Sequence, residues 1–153
     1  MKLLKYLIYV LIAAFFLIQF IPANLPENNN DLSRDLVVAE RAPDKVKQIL
    51  SKACYDCHSN QTNYPWYSYV APISWLVSRD TRIGREELNL SDWSDLSKRK
   101  KIKVLNEMAE EMEERNMPLK IYTVIHRDAI LSDDEIKTVT DWTESVSAGI
   151  LGD

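Results

Sequence analysis

The chain has 153 residues, 46% of them hydrophobic and 27% charged, with a formal net charge of −4. That length accommodates one compact domain plus appendages. The acidic balance argues against nucleic acid or anionic lipid headgroups as partners. Only three glycines occur and period-two alternation is weak throughout, which excludes an all-β barrel built on many tight turns.

In chain order, the first element is the run 6–21, which has no charge and a single polar side chain, Gln19. Lys2 and Lys5 precede it, as in an export signal. The run is longer than a signal-peptide core yet short of the about 20 residues of a full span. Leu3, Leu4 and a snorkelling Lys5 extend it. Gln19-Phe20-Ile21-Pro22-Ala23 offers a poor cleavage site. The expectation is an uncleaved transmembrane signal anchor over residues 1–22, with a cleaved signal peptide as the rival. The lysines on its near side predict that the rest of the chain is exported.

Residues 23–41 hold Pro26 and three asparagines, 28–30, and read as a polar tether. Residues 42–153 form the domain, and its signals are helical. Pro43 and Asp44 suit a helix start, and Val46, Ile49, Leu50 and Ala53 follow at helical spacing into Cys54. Ile73, Leu76 and Val77 predict a second helix over 72–85. Ile102, Leu105, Ala109 and Met112 predict a third over 97–115, with its acidic end unfavourable to the helix dipole. Ser132 and Glu135 form a capping box for a last helix, with Ile136, Val139, Thr143 and Val146 on one face and Gly149 as its end.

Between the first two helices stands Cys54-Tyr55-Asp56-Cys57-His58, the C-x-x-C-H signature of c-type haem attachment. The two thiols add across the haem vinyl groups as thioethers, and His58 falls where an imidazole can bind the iron as proximal ligand. A disulfide between cysteines so close would add little stability, so the following histidine explains the pair better. A haem would also supply the apolar centre that a domain of this size otherwise builds from side chains.

Low-spin electron-transfer haem needs a sixth ligand, usually Met or His. Met108 and Met112, four apart on the third helix, read as core fillers. Met117 precedes Pro118 at a helix end, 59 positions after His58, and is the first candidate. His126 is the runner-up, and a vacant position stays open. Tyr64, Trp66 and Tyr67 belong to an aromatic cluster that either packs on the haem edge or fills an ordinary core. Arg79, Arg82 and Arg85 are candidate propionate partners or solvated helix charges.

These residues resemble the single-haem, membrane-anchored haem-binding domain proteins common in Bacteroidetes-type bacteria. The resemblance rests on Cys54–Asn60, Tyr64-Pro65-Trp66-Tyr67, Ala71-Pro72-Ile73-Ser74-Trp75 and Gly84-Arg85. Leu88-Asn89, Ser91, Trp93, Met117-Pro118, Tyr122 and Leu131-Ser132 continue it. It implies an all-α, cytochrome c-like domain around one covalent haem c, held by Cys54 and Cys57 and ligated by His58 and Met117. Such relatives often carry a basic residue or His near Asp80, and Phe where Leu90 stands. With the anchor, it implies a single-pass protein of the bacterial cytoplasmic membrane whose haem domain lies in the periplasm.

The expected function is one-electron transfer with redox proteins of a respiratory or related membrane chain, a carrier rather than a catalyst. The alternative is a haem sensor or weak peroxidase in which Met117 is displaced. A zinc module of Cys54, Cys57, His58 and His126 is chemically reasonable, but adjacent Cys57 and His58 strain a shared tetrahedral ion. A thioredoxin-like dithiol lacks its βαβ setting.

Overall fold

The computed structural model describes residues 2–152; Met1 and Asp153, the outermost residues of the expected anchor and domain, lie outside them. Among the described residues every regular element is helical and no strand occurs. The helices are α1 (Lys2–Ile18), α2 (Leu36–Ala39), α3 (Asp44–Ala53), α4 (Tyr55–His58), α5 (Ile73–Glu87), α6 (Lys98–Glu113), α7 (Lys120–Ile125) and α8 (Asp133–Gly152). Short 3₁₀ turns occupy Trp66–Tyr69, Leu90–Asp95 and Arg127–Ala129.

The transmembrane helix expected from the sequence requires correction. α1 covers 17 residues, about 26 Å at 1.5 Å per residue, whereas the hydrocarbon core is about 30 Å thick. Among the described residues no helix is long and apolar enough to cross a membrane. The N-terminal span, and the single-pass location with a periplasmic domain that depended on it, are therefore not supported. The chain leaves the helix at Gln19, whose amide is occupied elsewhere. Its Nε2 donates to the carbonyls of Phe15 (2.9 Å) and Ala71 (3.1 Å), and its Oε1 accepts from the Ala71 N–H at 3.0 Å.

The stretch 23–41 runs along the helices with frequent hydrogen bonds. Ser78 donates to the Asn24 carbonyl (3.0 Å), Tyr64 to that of Pro26 (2.8 Å) and Arg85 to that of Glu27 (2.7 Å). Asp35 and Leu36 are fully buried. Asp35 caps α2 by accepting the Val37 N–H, and takes the Tyr55 hydroxyl at 2.6 Å. A buried carboxylate is costly without such partners.

Helices α3, α6 and α8 pack around the core, where Leu50, Leu105, Val139 and Trp93 are fully buried. The Trp93 indole N–H donates to Glu40 at 2.6 Å. α6 begins where Ser97 accepts the Lys100 N–H, and α8 where Ser132 and Glu135 exchange capping-box bonds at 2.9 and 3.3 Å. The expected starts are thus met, but α8 runs through Gly149 to Gly152. A glycine costs a helix only about 1 kcal/mol, and Ile150 beyond it packs against the core.

Candidate functional site

Helix α3 breaks at Cys54, whose backbone (φ −124°, ψ −40°) departs from helical values. One further turn, α4, follows, in which the N–H groups of Cys57 and His58 donate to the Cys54 carbonyl at 3.2 and 2.9 Å. Neighbouring side chains hold this turn. Ser59 Oγ donates to the Tyr55 carbonyl (2.8 Å) and Thr62 Oγ1 to that of Asp56 (2.8 Å). The Asp56 carboxylate accepts the Asn63 N–H (3.0 Å) and the Tyr122 hydroxyl (2.7 Å).

Helix α5 lies so close that only glycine fits at position 84. A Cβ there would stand 2.6 Å from the Cys57 carbonyl oxygen and 3.1 Å from the Cys57 Cβ. Gly84 thereby sets the distance between α5 and the C-x-x-C-H turn.

The backbone holds one ring nitrogen of His58. Its Nδ1 lies 3.1 Å from the Leu88 carbonyl. A carbonyl only accepts, so Nδ1 carries the proton and Nε2 keeps its lone pair. Burial pushes the imidazole pKa below its usual value, opposed by backbone hydrogen bonds at Leu88 and Gly84. The neutral ring is the metal-binding form, and a carbonyl partner at the other nitrogen fixes its tautomer. Asn89 secures the segment that carries Leu88: it caps the following 3₁₀ turn through the Ser91 N–H and donates to Asn60 at 2.9 Å.

Cys54, His58 and Met117 border one cavity of about 510 Å³, together with Leu88, Leu90 and Met108. Ligand pockets span about 300–1,000 Å³. Met117 sits in the connection between α6 and α7, where its N–H donates to the Glu111 carbonyl at 3.1 Å. A thioether, an imidazole nitrogen and a thiol beside Leu88, Leu90 and Val104, with lysines and glutamates in the same lining, are donor types that an iron porphyrin takes.

The facing wall was not anticipated. Lys100, Val104, Met108 and Met112 recur every four residues along α6 and border the cavity. The apolar stripe read from the sequence, Ile102, Leu105, Ala109 and Met112, shares only Met112 with this wall. The i, i+4 spacing of Val104, Met108 and Met112 was the available signal, hidden because lysine and glutamate share that face. Lys100 and Lys103 supply the cations of this wall, Lys103 paired with Glu107, and Glu107, Glu110 and Glu111 border it too. The arginines considered for that role have other partners: Arg79 pairs with Asp80, Arg82 with Ser78, and Arg85 with Glu27, Asn28 and Thr62.

Cys57 borders a second, smaller cavity of about 180 Å³ with Tyr67 and His126. The Tyr67 hydroxyl pairs with His126 Nε2. Tyr64 is committed to Pro26, Trp66 is 77% exposed, and none of the three aromatics borders the larger cavity. With Cys54 and His58 on one cavity and Cys57 and His126 on the other, the four zinc donors do not converge. Among the described residues no group of three or more His, Cys, Asp or Glu could hold a metal ion.

Both thiols are held neutral. Burial, then the neighbouring Cys57, pushes Cys54 up to about 12. Burial, then Asp56 and Asp80, pushes Cys57 up to about 11 against the opposing effect of Arg85. A dithiol oxidoreductase needs the reverse shift.

The larger cavity agrees with the outcome of comparison against known families. A family described as a haem-binding domain matches residues 13–145. No curated protein and no solved structure matches the chain. A C-x-x-C-H turn, a tautomer-fixed histidine and a match over most of the length lead to one conclusion: the chain belongs to the haem-binding domain family.

Proposed function

We propose that this haem-binding protein is an electron carrier of cytochrome c type, holding one haem c covalently and exchanging single electrons with redox proteins of a respiratory or related chain. The observation that carries the reading is the shared cavity of Cys54, His58 and Met117. When bound, the haem would supply iron that cycles between ferric and ferrous states.

The chain's own residues would do the rest. His58 would bind iron through Nε2, its ring plane set by the Leu88 carbonyl. Met117 would offer its thioether from a connection pinned at Glu111, and Met sulfur raises the potential. Cys54 and Cys57 would hold the porphyrin as thioethers, Cys57 by turning its side chain toward the cavity of its neighbours. Leu90, Val104 and Met108 would keep water from the iron. Lys100 would face a propionate, and Lys103 would do so on leaving Glu107.

The test is expression with a c-type maturation system, wild type beside Met117→Ala. The expected wild type keeps its haem through denaturation and acid–acetone extraction and gives low-spin spectra in both oxidation states. Met117→Ala should lose the ferric Met–iron charge-transfer band and show a lower potential. Extractable haem would overturn covalent attachment. An unchanged Met117→Ala variant would overturn the ligand assignment alone.

A further inference from the structure

We propose that Tyr67 is a redox-active tyrosine, which gives one electron to a strong outer-sphere oxidant while its hydroxyl proton passes to His126. The residues assigned to the haem include neither side chain. Removing an electron from a neutral phenol makes its hydroxyl strongly acidic. The electron therefore leaves most readily where a base already stands on that hydroxyl.

Hydrogen-bond partners rank the tyrosines on this scale. Tyr6, Tyr9 and Tyr69 are exposed to water. Tyr64 donates to the Pro26 carbonyl, which is no base at neutral pH. Tyr55 and Tyr122 donate to the carboxylates of Asp35 and Asp56. Among the described residues Tyr67 alone pairs with an imidazole, at His126 Nε2. An imidazole is ordinarily a stronger base than a carboxylate by about 2.6 pK units, and in the Nδ1–H tautomer its Nε2 accepts the hydroxyl. Tyr67 is also within reach of the surface. The exposed Trp66 meets it edge-on with ring centroids 5.9 Å apart, so an oxidant touching the indole stands one ring away.

In the step, Tyr67 loses one electron to the oxidant, its O–H bond breaks, and an N–H bond forms at His126 Nε2. The products are a neutral phenoxyl radical, an imidazolium and the oxidant reduced by one electron. An electron from any reductant returns the proton to Tyr67. The surroundings suit both states. Burial, then the nearby Asp56, raises the Tyr67 pKa above its usual value, so the resting phenol keeps its proton at neutral pH. The acceptor ring is already fixed, since Tyr122 stacks on His126 with ring centroids 4.1 Å apart and planes within 8°. Asp56, which holds the Tyr122 hydroxyl at 2.7 Å, borders the same cavity as His126, and its carboxylate favours the protonated ring.

The test is freeze-quench electron paramagnetic resonance of the full-length, haem-loaded ferric protein mixed with one equivalent of hexachloroiridate(IV). A tyrosyl signal should form near the free-electron position, apart from the signals of iron. Tyr67→Phe and His126→Ala should each weaken it at least fivefold, while Tyr122→Phe should leave it in place. An undiminished signal in either of the first two variants, or its loss in Tyr122→Phe, would overturn the proposal. A second measurement on the unsubstituted chain needs no variant to fold. At high field, the imidazolium hydrogen bond on the phenoxyl oxygen should lower the largest g value below that of a phenoxyl without one. No tyrosyl signal, or a g value that is not lowered, would equally overturn it. The signal belongs to tyrosine, so these outcomes are read separately from whether the haem is covalent or Met117 binds its iron.

Discussion

On the α6 side of the Cys54–His58 turn, a cavity of about 510 Å³ gathers a thiol, an imidazole and a thioether. On the side of α5 and α7, a cavity of about 180 Å³ gathers aliphatic side chains around a histidine–tyrosine pair. One turn of chain serves both. Cys54 and His58 are four apart and share a face, while Cys57 is about 100° around the axis from His58. The protein has two histidines, and they border different cavities. His58 has a carbonyl on one nitrogen and a free lone pair on the other. His126 has its Nε2 occupied by Tyr67. The residue type is the same, and the hydrogen-bond partner decides whether it can ligate.

The largest expected effect separates these histidines. In haem-loaded protein, His58→Ala should abolish the low-spin spectrum and lower the potential, while His126→Ala should leave both unchanged. Absorption spectra and a redox titration of the two variants read this directly. A low-spin iron that survives loss of His58 and fails on loss of His126 would reverse the roles assigned to the two cavities.

A smaller effect is expected at the wall between them. Gly84→Ala drives a methyl to 2.6 Å from the Cys57 carbonyl oxygen, a backbone atom that cannot swing aside. Overpacking of this kind costs about 1–3 kcal/mol. Urea denaturation should show that loss. Arg85→Ala, next in sequence, removes hydrogen bonds to Glu27, Asn28 and Thr62 without moving α5. If Gly84→Ala matches the wild type, α5 does not hold the turn as closely as its geometry requires.

How much of this was legible beforehand depended on how local the information is. The starts of α3, α6 and α8 could be read because their signals lie within a few residues: Pro43 with Asp44, Ser97, and Ser132 with Glu135. The C-x-x-C-H turn was equally local. The end of α1 was not, because Gln19 finds its partner at Ala71, 52 positions away. Apolar composition alone suggested a longer helix there. The Leu88 carbonyl is a backbone atom, and no residue type advertises that it will hold His58. The α6 wall was hidden by chemistry, since lysines and glutamates on a cavity face look like a solvated stripe. The second cavity was hidden by distance, for Ser68, Val77 and Ile125 come from three separate elements.

The smallest effect should fall on the frame common to both cavities. Lys52, near the end of α3, donates to Glu135 Oε1 at 2.6 Å at the start of α8. The other carboxylate oxygen accepts the Ser132 N–H and hydroxyl at 2.9 and 3.0 Å. The Lys52 hydrogen bond, then the Ser132 N–H, lowers the Glu135 pKa from 4.5 to about 2. A carboxyl depressed in the folded state contributes stability that is fully present above its unfolded value and lost as pH falls through the folded one. The window is therefore about pH 4.5 down to about 2. The two side chains keep 28% and 25% of their surface exposed, and solvent screening brings the pair's worth to about 0.5–1 kcal/mol rather than the full shift. Glu135→Gln keeps an acceptor for Ser132 and removes only the charge. Urea denaturation at pH 6 should place it below the wild type by that amount, and the gap should close toward pH 2. Because neither Lys52 nor Glu135 borders either cavity, the haem spectrum should stay as in the wild type at pH 6. A changed haem spectrum at pH 6 would mean that the charge on Glu135 reaches the turn as well as tying α3 to α8.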